Sequence, residues 1–150
     1  MIYTSNYNNC QTNKYKTYSI SGNRGKDANY NGNCYPILAP RLSFWNKWHE
    51  NIGKISEEEN NRYYVSEYWN QVLSLIDSKE IYEKLDDSIL LCYEPNKEFC
   101  HRHIVAYWFE ITLGVKIPEI EIHGDKIQEM DRPAYIKKYL EDAMKIKNNN

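Results

Sequence analysis

The sequence predicts an α/β fold: one compact domain over residues 1–147, built on an open, mostly parallel sheet of about four strands covered by helices, with a disordered tail at 148–150. Three observations carry this. The elements read in the order β, β, three helices, β, α, β, α, which suits a parallel sheet with helical crossovers. The run "SILLCY" at 88–93 is continuously apolar, as a strand covered on both faces must be. The segment "HIVAYWFEITLG" at 103–114 is apolar almost all round, which describes a buried helix ended by Gly114. The pattern is Rossmann-like.

Taken in order, Met1–Tyr7 and Lys16–Ser21 carry Tyr, Thr and Ile between Asn-, Gly- and Lys-rich turns and read as strands. The loop after the second holds Gly22, Gly25 and Gly32, which permit positive φ and close approach to the backbone. Phe44, Trp45, Trp48 and Ile52 fall at helical spacing, with Gly53 as the C-terminal stop. Ser56 followed by Glu59 forms a capping box for a helix whose stripe is Val65, Tyr68, Trp69, Val72, Leu73 and Ile76. Ser78 is expected to cap a short helix reaching Leu85. After the two central segments, "VKIPEIEIH" alternates as a half-exposed strand, and Pro118 predicts that it lies at an edge or begins late. Asp131 is expected to cap a final helix with Ile136, Leu140, Ala143 and Met144 on one face.

At 150 residues the chain can bury about two thirds of its unfolded surface and needs no disulfide or metal to complete a core. A formal charge of −2 excludes a global attraction to nucleic acid or anionic membrane, and leaves room for a local basic site. There is no apolar run of spanning length and no basic-then-apolar leader. The expectation is therefore a cytoplasmic protein with no membrane partner. Cys10, Cys34, Cys92 and Cys100 are irregularly spaced, which favours free thiols in that compartment.

The chemistry concentrates where the buried strand hands over to the buried helix, in "YEPNKEFCHRH". Ligands of open α/β sheets bind beyond the carboxyl ends of the strands, and the polar loops at 5–9, 21–33 and 94–102 all follow strands. Helix N-termini favour anions and thiolates. Cys100 is thus a candidate nucleophile with a depressed pKa, His101 a partner in catalysis, and Glu94 a general base or a holder of a hydroxyl or amino group. Arg102 is the candidate anion clamp, and Ser5, Asn6, Ser21 and Arg24 complete the expected ligand-binding set. The bland alternative makes Cys100 a packed small residue, His101 a cap and Arg102 a partner of Glu94 or Glu98. Zinc on Cys92, Cys100, His101 or His103 lacks a Cys-x-x-Cys pair, and no metal or cofactor is assigned.

Cys-His-Arg before an aliphatic residue resembles the "PCHRV" motif of alkylguanine DNA alkyltransferases over about five residues, with Phe99 in place of the Pro. A broader resemblance is to an uncharacterised bacterial and phage family, the domain of unknown function four-eight-eight, in its short form. Its matching pieces are "IYTSNYNN", "SISGNRG", "LAPRLSFW", "ISEEENNRYYVSEYWNQVLSLID" and above all "LLCYEPNKEFCHRHIVAYWFE", together spanning about residues 2 to 122. The resemblance implies an α/β fold and marks Glu94, Cys100, His101 and Arg102 as family-typical positions. The segment after Arg24 departs from it, being rich in Asn and Asp.

The leading expectation is an anionic, nucleotide-like small molecule bound at this rim, with hydrolase or transferase chemistry as the enzymatic version. The alternative is a non-enzymatic interaction module for a protein or nucleic-acid partner, presenting Tyr30, Tyr35 and the helix from Arg41 to Ile52. Oligomeric state is not legible.

Overall fold

A computed structural model describes residues 1–149. Seven strands form one sheet: β1 (Tyr3–Asn6), β2 (Cys10–Gln11), β3 (Lys16–Ser19), β4 (Asn33–Cys34), β5 (Ser88–Cys92), β6 (Glu119–His123) and β7 (Lys126–Met130). Five α-helices accompany them: α1 (Leu42–Asn51), α2 (Glu57–Gln71), α3 (Ser78–Leu85), α4 (His101–Leu113) and α5 (Tyr135–Asn149). The α/β class holds, with seven strands in place of about four. The expected tail begins at 148; α5 is traced through Asn149, and Asn150 lies outside the described residues.

β5 pairs in parallel with β1 on one side and β3 on the other, and β4 continues the sheet beyond β3. On the far side β6 pairs in parallel with β1 through Thr4 and Glu119, then with β2 through Cys10 and Ile122. β2 therefore prolongs β1 along one edge of β6, while β7 takes the other edge as an antiparallel hairpin partner. Of the two expectations for Pro118 the late start is the one realised: it stands just before the strand, its carbonyl accepting from Thr4 N, and β6 is interior.

β5 is buried along its whole length because its alternate side chains enter two different cores. Leu90 points into the main core, to which every helix contributes, including Phe44, Tyr68, Leu85, Phe109 and Ile136. Ile89 and Leu91 point the other way, into a smaller cluster with Ile120 and Ile122. That second face is covered by Tyr3, Tyr7, Tyr15 and Tyr30, not by helices. Aromatic rings here do the covering that a second helical layer does in a doubly wound sheet.

Local capping follows the sequence in most places. Ser56 Oγ accepts from Glu59 N at 3.1 Å, and Gly53 and Gly114 adopt φ of +82° and +67° after their helices. Two caps differ from expectation. Asp77, not Ser78, accepts from Lys79 N and Glu80 N, since the carboxylate one residue earlier reaches both amides. α5 starts at Tyr135 rather than at Asp131, because Pro133 lies between them and Arg132 is drawn to Glu110 and the Ile117 carbonyl.

Candidate functional site: the rim cleft

Because β1, β3 and β5 are parallel neighbours, their following loops meet at one rim. A cleft of about 480 Å³ opens there. Its walls are aromatic: Trp45 and Trp48 of α1, Tyr64 of α2, Phe99 and Tyr93. Phe99 stacks on Trp48 at 5.8 Å between centroids and meets Tyr64 edge-on at 5.2 Å. Its polar floor holds Ser21, Cys92, Glu94, Cys100 and His101, and Asp27 stands at the side.

The loop that flanks the cleft is fastened to the sheet. Tyr7 Oη lies 2.7 Å from Ser19 Oγ and 2.8 Å from Ser21 Oγ, and burial pushes its pKa up to about 12. Tyr93 Oη donates to Asn23 Oδ1 and accepts from Asp27 N. Gly25, at φ +80°, lets the loop pass over these rings: a Cβ there would sit 2.6 Å from Tyr30 Cβ and 2.9 Å from Tyr7 Oη. Only glycine fits that approach.

Cys100 is the N-cap residue of α4, in extended backbone with φ −158°, and its carbonyl accepts from His103 N. The ring of His101 turns toward β3: Nε2 lies 2.7 Å from the carbonyl oxygen of Ile20. That oxygen can only accept, so Nε2 carries a hydrogen; in the neutral ring Nδ1, 3.6 Å from Cys92 Sγ, presents a lone pair, while against the effect of burial the neighbouring Cys100 and the Ile20 carbonyl raise the pKa of the ring. Cys92 Sγ is also 3.4 Å from Glu94 Oε2. The Cys92, Cys100 and His101 donor atoms all lie within 4.8 Å of one another.

Four of the eight expected site residues line the cleft: Ser21, Glu94, Cys100 and His101. Arg102 does not. It is fully buried on the opposite side of the helix start, where Nε and Nη2 grip the two oxygens of Glu119 at 3.1 and 2.7 Å. Thr4 Oγ1 adds a third bond to the same carboxylate. The guanidinium is consumed by a structural pair with Glu119, rather than with Glu94 or Glu98, and is no anion clamp. The Cys100 thiol is likewise not activated: burial pushes it well above its ordinary value and Cys92 adds to this, outweighing Arg102 and His101. Ser5 is buried with its hydroxyl on the Ile120 carbonyl, and Asn6 closes the 6–9 turn through Asn9 N while its amide holds the Glu94 carbonyl. Both brace the rim from behind. Arg24 is exposed in a left-handed turn conformation, φ 61°, and is not part of the lining.

Sequence reasoning weighed Cys92 only as one option for zinc and missed Tyr93, Asn23 and the aromatic wall. Cys92 and Glu94 are two apart at a strand exit and so share a side, a signal that was present. Trp48 and Tyr64 sit at helical core spacing, and nothing in that spacing distinguishes a core wall from a cleft wall.

Comparison of the chain with family models, curated proteins and solved structures returned no match. Among the described residues no helix is long and apolar enough to cross a membrane.

Proposed function

We propose that the rim cleft is a receptor for a planar, ring-bearing small molecule of about nucleoside size. The observation that carries this reading is the pairing of an aromatic wall, Trp45, Trp48, Tyr64 and Phe99, with a polar floor in one cleft of about 480 Å³. Volumes of this order hold small ligands, and rings stack on such walls while a few polar groups fix orientation. Glu94 and Ser21 are placed to hold ring amines or hydroxyls. The anionic half of the expected ligand has weaker support, since no Lys or Arg lines the cleft and Lys97 belongs to the neighbouring hollow behind Trp48 and Phe99. If the site also turns its ligand over by hydrolysis or transfer, Glu94 is the group to remove a proton, and Cys100 is not the nucleophile.

This reading fits a cytoplasmic protein, because all four cysteines are free. It also retains the likeness to the domain of unknown function four-eight-eight as a proposal, supported by the clustering of Glu94, Cys100 and His101. The test is a panel of nucleobases, nucleosides and nucleotides scored by quenching of Trp fluorescence and by melting temperature. Binding should be lost in Trp45→Ala and Glu94→Gln and unchanged in Arg24→Ala. A flat response across the whole panel in the wild-type protein defeats the proposal.

The interaction-module reading is favoured by one observation: Leu42 is 71% and Trp45 37% exposed at the cleft mouth. Tyr30, expected on that surface, is instead turned inward, with its hydroxyl on Thr17 and the Asn33 carbonyl. A protein partner whose capture is abolished by Leu42→Lys and untouched by Glu94→Gln would favour this module over the small-molecule receptor.

A further inference from the structure

We propose that Cys92, Cys100 and His101 form a binding site for a thiophilic divalent metal, zinc in the first instance, with Glu94 as a displaceable fourth ligand facing the cleft. The proposal goes beyond ligand binding and stands whether or not a nucleoside-like molecule is found there.

Cys92, Cys100 and His101 bring three donor atoms within 4.8 Å of one another, two of the measured separations match the edges of a tetrahedron, and Glu94, beside Cys92 and outside that trio, would swing in from the cleft as the fourth ligand. With Zn–S about 2.3 Å and Zn–N or Zn–O about 2.0–2.1 Å, the sulfur-to-nitrogen and sulfur-to-oxygen edges of a tetrahedral site are each roughly 3.5 Å. The observed separations are 3.6 Å from Cys92 Sγ to His101 Nδ1 and 3.4 Å from Cys92 Sγ to Glu94 Oε2. The two sulfurs lie within 4.8 Å. Closing them to the roughly 3.8 Å edge of a tetrahedral dithiolate asks for at most about 1 Å of side-chain movement.

The surroundings are those a metal ligand needs. A ligating imidazole uses one nitrogen and donates the other to an oxygen, and His101 Nε2 is already committed to the Ile20 carbonyl at 2.7 Å. Cys100 Sγ accepts from Arg102 Nη1 at 3.3 Å, and Arg102 is itself fixed by Glu119, so a fixed cation flanks this sulfur. The lack of a Cys-x-x-Cys pair is no obstacle here: the end of β5 and the first turn of α4 are brought together by the loop between them. Two sulfurs and an imidazole select zinc or cobalt over magnesium or calcium. On binding, both thiols lose their protons to solvent and bond the ion as thiolates, with no change of oxidation state.

The experiment titrates cobalt chloride into the reduced, metal-free full chain. The expected result is one equivalent bound, with thiolate-to-cobalt charge-transfer bands, tetrahedral visible bands, release of two protons per ion, and displacement of the bands by zinc. Cys92→Ala and Cys100→Ala should lose the bands, Glu94→Gln should keep them with affinity weakened roughly tenfold to a hundredfold, and Cys10→Ala and Cys34→Ala should be unchanged. Alkylation mapping keeps the test independent of folding: in the wild-type chain zinc should slow labelling of the buried Cys92 and Cys100 below their own zinc-free rates while leaving the rates of Cys10 and Cys34 unchanged. Absence of the bands under excess cobalt, equal alkylation of all four thiols with and without zinc, or dependence of the bands on Cys34 overturns the site.

Discussion

His101 and Arg102 are consecutive residues at the start of α4, yet they face different halves of the sheet. A step of one residue turns a helix by about 100°, and here it carries the imidazole toward β3 and the cleft while the guanidinium goes toward β6 and the core. On one side the two ring nitrogens of His101 meet the Ile20 carbonyl and the Cys92 thiol at the floor of an open cleft. On the other, Arg102 and Glu119 are sealed together at 0% and 2% exposure. The difference teaches that a compact run of reactive residue types need not be one site. Half of this one organises the fold, and only half is available for chemistry.

Breaking the buried half should have the largest effect. Arg102→Ala strands the Glu119 carboxylate in the core and should cost about 3–5 kcal/mol of unfolding free energy in a urea titration. Cys100→Ala removes one sulfur and the acceptor of Arg102 Nη1 while leaving the Glu119 pair intact, and should cost only about 1–2 kcal/mol; equal losses from the two would erase the contrast between them.

His103, packed on the Arg102 side with Nδ1 4.0 Å from Glu119, gives the next effect. Burial, reinforced by the Arg102 and Arg132 charges, lowers its pKa from 6.5 to about 2. The folded state thus binds fewer protons than the unfolded chain between those two values, so stability is complete above pH 6.5 and declines as pH falls through this window. One such group contributes a slope of up to roughly 1.4 kcal/mol per pH unit. Urea titrations at pH 7 and 5 should show that His103→Leu loses less stability on acidification than the wild-type chain, and identical pH slopes would remove His103 from the account.

On the cleft side the changes are smaller. Tyr7→Phe removes the hydroxyl shared by Ser19 and Ser21 and should cost about 1–2 kcal/mol, measured as a shift in the denaturation midpoint. Trp45→Ala, at the exposed mouth, should stay within about 0.5 kcal/mol of wild type while abolishing fluorescence quenching by the ligand. A stability loss from Trp45→Ala as large as that from Arg102→Ala would mean that the cleft wall is core after all.

The long, strongly patterned elements were legible in the sequence: the apolar run of β5, the all-round apolar α4, and the Ser56 cap and the Val65 and Tyr68 face of α2, although that helix ends at Gln71 and the rest of its expected stripe, Val72, Leu73 and Ile76, falls in and around a 3-10 turn at Leu73–Leu75. The short strands were not. β2 and β4 are two residues each and exist only because neighbours supply their partners. β7 is mostly exposed, so its residues carry little apolar signal, although Gly124-Asp125 between two strand-like runs was a usable hairpin mark. For the site, the convergence of the loops and the presence of Glu94, Cys100 and His101 were readable, since parallel strands and a helix start imply them. The fate of Arg102 was not, because its partner Glu119 lies 17 residues away on β6, and local spacing says nothing about which carboxylate a buried arginine will find.

The tyrosine layer on the second face of the sheet bears on how a ligand would arrive. The 21–30 loop borders the cleft, but its Tyr30 also packs with Tyr7 over the cluster of Ile89 and Leu91, and Tyr93 fastens it through Asn23 and Asp27. Lifting it like a lid would wet that cluster and break its hydroxyl bonds together. An entrance held this way is a preformed mouth, and a molecule entering it should associate in a single second-order phase, with no slower conformational step behind it.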